Sequence, residues 1–217
     1  MIHIMLVDDH DLIREGLSQI IQTTSDMVVA GEAANGQSAM TLLRSKRFDI
    51  VLMDIALPGQ NGLHWLKLIK IEQPHLPVLM LTMYDEQQYA VRCMRAGAAG
   101  YLTKRHASTE LLTAIRRISA GQKYITPSVG AELAIALEHH SRPSSVMDLL
   151  SDRELEVLLL LTDGYSVSDI ASHLMLSIKT VSTYRSRLLQ KLHMKSNAEL
   201  IRYALQEGLT PAAALSL

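Results

Sequence analysis

The chain has 217 residues, of which 48% are hydrophobic and 20% charged, with a formal net charge of −1 at pH 7. This composition can fill a packed core and excludes a wholly disordered chain. The single cysteine, Cys93, excludes an internal disulfide and argues against a structural zinc site, leaving it a packing residue. No apolar run reaches the roughly 18 residues of a membrane helix. Asp8 and Asp9 directly follow the first short apolar run, which is unlike a signal peptide. A soluble, cytoplasmic protein is the expectation, and at roughly 150 residues per domain it holds one or two domains.

Five short apolar runs predict strands, at 3–7 (HIMLV), 28–32 (VVAGE), 49–53 (DIVLM), 77–81 (PVLML) and 100–103 (GYLT). Helical spacing separates them, as in the stripes Leu12, Gly16, Leu17, Ile20, Ile21 and Ala90, Val91, Met94, Ala98. The third and fourth runs are apolar almost throughout, which suits strands covered on both faces of a parallel sheet. The alternation predicts an α/β fold over 1–120, a (βα)5 doubly wound parallel sheet. A short helix is predicted at 129–137. The polar stretch 139–148, HHSRPSSVMD, is the best linker candidate, and 121–148 is taken as the connection. Beyond it, over 149–217, an all-α unit of four helices is expected at 152–161, 167–174, 178–192 and 197–207, with Gly164 and Gly208 as terminating glycines.

In an open parallel sheet, function gathers beyond the carboxyl ends of the strands. The first strand is followed by Asp8 and Asp9, the third ends at Asp54, the fourth at Thr82 and the fifth at Lys104. Any one of these has a plain structural role: Asp9 or Asp11 can cap the following helix. Their joint placement is what points to chemistry. Clustered carboxylates suit Mg²⁺, which keeps several waters and takes one or two protein carboxylates. One aspartate can then accept a phosphoryl group while a lysine and a hydroxyl stabilise its oxygens. A dinucleotide site would need a glycine-rich turn after the first strand, where the chain has VDDH.

The segments LVDDHDLIREGL, VLMDIALPGQNG, LTMYD and AGAAGYLTK resemble the receiver domain of two-component response regulators. The resemblance implies Asp54 as phosphoacceptor, with Asp8, Asp9 and the Ala56 backbone carbonyl completing a Mg²⁺ site. It further implies Thr82 as switch hydroxyl, Tyr101 as switch aromatic turning inward on activation, and Lys104 as the phosphate-pairing lysine. Arg105 and His106 after Lys104 depart from the family's usual small or acidic residues. A haloacid-dehalogenase-type phosphatase has a second Asp two residues past its nucleophile, where this chain has Ala56.

From 178 to 198 the chain carries Lys179, Arg185, Arg187, Lys191 and Lys195 and no acid. The segment SVSDIASHLMLSIKTVSTYRSRLLQKL has helix–turn–helix organisation. Ile170, Ala171 and Leu174 give the first helix a buried face, and Ser177 is placed to cap the second. Val181, Leu188 and Leu192 form that helix's apolar back, with Lys179, Ser182, Thr183, Arg185, Ser186 and Arg187 outside it. Such a front can enter a major groove; it can equally be the solvated face of a helical bundle. LSDRELEVLLLLTDGYSVSDIASHLMLSIKTVSTYRSRLLQKLHM resembles the LuxR-type domain of the NarL/FixJ family. That implies base-reading positions at Ser182, Thr183 and Ser186 and phosphate contacts at Lys179, Thr180, Arg187 and Lys191. Tyr184 and Ser182 depart from the commoner residues there.

Together the two resemblances imply a DNA-binding transcriptional regulator, itself no enzyme beyond accepting and losing a phosphoryl group. Its implied partners are a sensor histidine kinase, double-stranded promoter DNA and a second copy on activation. Two other readings stay open: a receiver governed by protein contact alone, and a helical domain that docks on protein.

Overall fold

The computed structural model describes residues 1–82, 87–138 and 149–206. The expected linker 139–148 and Gly208 lie outside the described residues. The chain divides into two units, Met1–Ala134 and Ile135–Leu217.

In the first unit, β1 (Ile2–Val7), β2 (Met27–Ala33), β3 (Ile50–Asp54), β4 (Val78–Thr82) and β5 (Gly100–Thr103) form one sheet in the order β2-β1-β3-β4-β5. All neighbours are parallel. The helices α1 (Asp11–Gln22), α2 (Gly36–Ser45), α3 (Gly62–Glu72), α4 (Gln87–Arg95) and α5 (Ala107–Ser119) follow the successive strands. The α/β reading of this unit therefore holds. Alternation along the strands sorts the core into two faces: Ile4, Leu6, Ile50, Leu52, Leu79 and Leu81 cluster with Leu17 and Ile21 of α1 and with Leu111, Ala114, Ile115 and Ile118 of α5. All five residues of β3, and all five of β4, are buried.

One member of the predicted α1 stripe is corrected. Leu12 is 81% exposed, while Ile13 packs against the core. Leu12 sits in the first turn of α1, and a shift of one residue turns the stripe by about 100°. The cap of α1 is also neither Asp9 nor Asp11 but His10, whose side chain makes no capping hydrogen bond.

A further helix, α6 (Pro127–Glu138), begins at a proline, which suits a first helical turn, and the unit division falls inside it.

The second unit contains α7 (Asp152–Thr162), α8 (Val167–His173), α9 (Ile178–Lys191) and α10 (Asn197–Gln206). Each start has a chemical cause. Ser151 and Ser166 form reciprocal capping boxes with Glu154 and Asp169, and Ser177 accepts from the Thr180 amide. Gly164 ends α7 at φ +85°, a conformation glycine adopts without strain. Met175, at φ 52°, makes the turn between α8 and α9 without a glycine. Leu155, Leu158, Ile170, Val181, Leu188, Leu200 and Ala204 form the buried centre.

Candidate metal centre and nucleic-acid interface

The sheet order reverses direction between β1 and β3, so the loops after those two strands part and leave a crevice. Asp8 follows β1 and Asp54 ends β3, so both border it. Asp8 continues the ladder, its N–H donating to Ala33 O at 3.1 Å, and Arg14 from α1 donates to Asp8 O at 2.6 Å. Beyond Asp54 the chain must turn sharply. The Gly62 amide donates to Ile55 O at 2.8 Å, and a Cβ on Gly62 would lie 2.0 Å from Asp54 O. Only glycine fits there.

Lys104 follows β5, its amide donating to Thr82 O at 2.6 Å. Its Nζ lies 2.6 Å from Asp8 Oδ2 and 2.8 Å from Asp54 Oδ2, with all three side chains at 5% exposure or less. Asp54 Oδ1 is buried and completes no hydrogen bond among the described residues. Burial pushes the Asp54 carboxyl above its usual range; Lys104 opposes this and Asp8 adds to it. Burial alone would lower the Lys104 ammonium, but the two carboxylates outweigh it and hold it above its ordinary value.

Asp9 and Asp54 each offer an oxygen, as does Asp8, and His10 offers a ring nitrogen, all within 4.8 Å of one another. His10 was not singled out in the sequence; the only signal was its position beside the two acids. The donor set fits a divalent cation: three carboxylates meet, with the Asp8 and Asp54 oxygens buried. Ala56 lies in the turn two residues past Asp54, its N–H favouring the carboxylate's charged form.

Thr82 is buried at the end of β4, in register with Thr103. Tyr101, on β5, is only 3% exposed. The His106 ring, Nδ1 2.8 Å from Thr103 Oγ1, holds the loop after Lys104.

In the second unit, the outer face of α9 carries exposed Lys179, Thr183, Ser186 and Arg187, with Ser182 partly exposed. Lys179 and Arg187 make no ion pair among the described residues. Thr183 donates to Lys179 O at 2.9 Å and Ser186 to Ser182 O at 2.9 Å, the usual resting bonds of helical hydroxyls. Thr180 is paired with Ser177, its Oγ1 2.7 Å from the serine Oγ. Lys191 differs from these: its Nζ lies 3.0 Å from Leu149 O and 2.7 Å from Glu154 Oε2, so its charge is directed into its own unit.

A family model for the response regulator receiver domain matches residues 4–116, and one for the LuxR family of bacterial regulatory proteins matches residues 148–204. The chain is a two-component response regulator of the NarL/FixJ family. This response regulator is 38% identical to the response regulator GacA of Pseudomonas aeruginosa over 213 residues, covering 98% of this chain and 100% of the relative. It is 38% identical to the response regulator UvrY of Escherichia coli K12 over 216 residues, covering 100% and 99%. A solved complex of the response regulator RcsB with DNA superposes with a TM-score of 0.59 at 25% identity, covering 94% of this chain and 98% of that one. The regulator thus joins a receiver to a LuxR-type helix–turn–helix DNA-binding domain. Among the described residues, no helix is long and apolar enough to cross a membrane.

Proposed function

We propose that this response regulator accepts a phosphoryl group on Asp54 and that the new charge controls its dimerisation and its binding to promoter DNA. The observation that carries this is Lys104 bridging the buried carboxylates of Asp8 and Asp54. Asp8, Asp9, Asp54 and the Ala56 carbonyl would hold Mg²⁺, which supplies positive charge to neutralise the carboxylates and the transferred oxygens.

The donor is a phosphohistidine on a sensor histidine kinase. An Asp54 oxygen attacks phosphorus; the new P–O bond forms as the P–N bond breaks, and the histidine leaves with a proton. Lys104, already within ion-pair distance, then faces a phosphoryl oxygen, and Thr82 is the hydroxyl that meets another. The product adds about −1.5 to −2 charge at one buried point. Tyr101 then turns inward to fill the space Thr82 leaves, which biases the face formed by β4, β5 and their helices.

The receiver is assigned to 1–120, the connection to 121–148 and the DNA-binding unit to 149–217. Ser182, Thr183 and Ser186 read base edges, while Lys179, Thr180 and Arg187 meet phosphates. RcsB has been solved bound to DNA, which supports DNA binding by this regulator. Lys191 takes the role of a positioning residue for this face.

Intact mass after incubation with Mg²⁺ and acetyl phosphate tests the acceptor. One added phosphoryl group in the wild type and none in Asp54→Ala is expected. Persistent addition in the variant overturns Asp54 as acceptor. A gel shift on promoter fragments at two salt concentrations, with and without the phosphodonor, tests the output.

A further inference from the structure

We infer that Tyr124 ties the connection to the edge of the receiver sheet, so that a change in β5 reaches the start of α6 through it. The inference rests on the phosphorylation reading above and deepens it by naming the residue through which the signal leaves the receiver.

The chain returns to β5 immediately after α5. The Tyr124 N–H donates to Ala99 O and the Tyr101 N–H donates to Tyr124 O, both at 3.0 Å, so Tyr124 pairs with Gly100 as a one-residue parallel extension of the sheet. Lys123 strengthens the join, its Nζ donating to Ala98 O at 2.5 Å. Tyr124 is held to α5 as well: the phenol donates to Glu110 Oε2 at 2.6 Å, and the Arg117 guanidinium lies 5.8 Å from the ring centroid. The fit leaves no slack. A Cβ on Gly100 would lie 2.7 Å from Tyr124 O, closer than a real Cβ comes to a carbonyl. One of the two main-chain bonds belongs to Tyr101, the residue assigned above to the switch.

Only Ile125 and Thr126 separate Tyr124 from Pro127, the first residue of α6. Thr126 starts that helix: its Oγ1 accepts from the Val129 amide at 3.4 Å and its carbonyl from the Gly130 amide at 3.0 Å. Two residues span at most about 7 Å, too short a tether to isolate the helix from the strand. The division between the two units falls within α6. Strand β5, Tyr124, Thr126 and α6 therefore form one bonded series from the switch face into the connection. The competing role for Tyr124 is to cover an edge strand, which would make it matter equally with and without phosphorylation.

Hydrogen exchange of the full chain, before and after incubation with Mg²⁺ and acetyl phosphate, separates the two, with phosphoryl uptake read by intact mass. In wild type, phosphorylation is expected to change the exchange of the β5 amides and, by at least about fivefold, that of the Val129 and Gly130 amides. Tyr124→Ala is expected to keep phosphoryl uptake and the change in β5, while the change at Val129 and Gly130 falls below about twofold. Inserting Gly-Ser-Gly between Tyr124 and Ile125 leaves the bonds of Tyr124 in place, lengthens the tether and should act likewise. Tyr124→Phe keeps the ring and both main-chain bonds and should retain most of the response. A response at α6 that survives Tyr124→Ala and the insertion overturns the inference, as does one lost only together with the change in β5. A wild type that gains one phosphoryl group with no change at α6 overturns this inference alone. A wild type that gains none overturns the phosphorylation reading with it.

Discussion

Lys191, in the last turn of α9, reaches Glu154 in the first turn of α7, its Nζ 2.7 Å from Oε2, and the carboxylate it meets is 3% exposed. Glu154 also accepts from the Ser151 amide at 2.7 Å. Burial pushes the Glu154 carboxyl up, but Lys191 and Ser151 together outweigh it and hold the group below its usual value. A depressed carboxylate adds stability above its unfolded pKa, 4.5, and that stability is lost as pH falls through the folded value.

The variant Lys191→Met leaves a buried carboxylate short of a donor. It should destabilise the unit by about 1–3 kcal/mol, with faster amide exchange in the first turn of α7. It should leave the salt slope of DNA binding unchanged, whereas Lys179→Ala should lower that slope by about one. A slope reduced by Lys191→Met, with exchange unaltered, would place Lys191 on phosphate instead.

The sequence exposed the strand ends because each apolar run stops abruptly at a charged or hydroxyl residue: Asp8, Asp54, Thr82, Lys104. It exposed the start of α9 because the cap Ser177 is a local signal. The Lys191–Glu154 pair was not legible, since its partners are 37 residues apart and meet only through the packing of α7 against α9. The exposure of Leu12 and the direction of the His10 ring likewise depend on how α1 lies on the sheet. Both were beyond periodicity.

Two glycines should answer alanine oppositely. Gly62→Ala forces a Cβ against the backbone of Asp54 and should cost about 1–3 kcal/mol or more, with slower phosphoryl uptake from acetyl phosphate. Gly16, within α1, has nothing within 4 Å of an added Cβ, and Gly16→Ala should stabilise by about 0.5–1 kcal/mol. Urea denaturation of both variants checks the contrast.

In metal-free buffer, Lys104→Met removes the cation shared by two buried carboxylates and should cost about 3–5 kcal/mol. Asp54→Asn removes a carboxylate that burial disfavours and should unfold no more easily than wild type. Saturating Mg²⁺, at about 100 times its dissociation constant, should stabilise wild type by about 2.7 kcal/mol and Asp54→Asn by much less. Thermal melts in EDTA and in MgCl₂ would expose any other ranking.

Tyr124 packs beside the core and donates to Glu110 Oε2 at 2.6 Å. Burial first, then the Glu110 hydrogen bond and charge, push its phenol up to about 12. A raised phenol adds stability that is complete below its unfolded value of 10.0 and is lost as pH rises towards about 12. Ultraviolet titration should place Tyr124 among the tyrosines that ionise late. Glu110→Gln should bring that step down and flatten the alkaline loss of stability; an unchanged late step would assign it to another tyrosine.

Lys104 has a consequence for how the regulator waits between signals. Because a side chain of the protein already stands between Asp8 and Asp54, the crevice keeps its shape with no cation in it. Ordering was completed when the chain folded, so loading and emptying the crevice need not loosen the sheet around it. On the proposed reading, losing the ion would leave the two loops held by Lys104, so the surface offered to a kinase would not change.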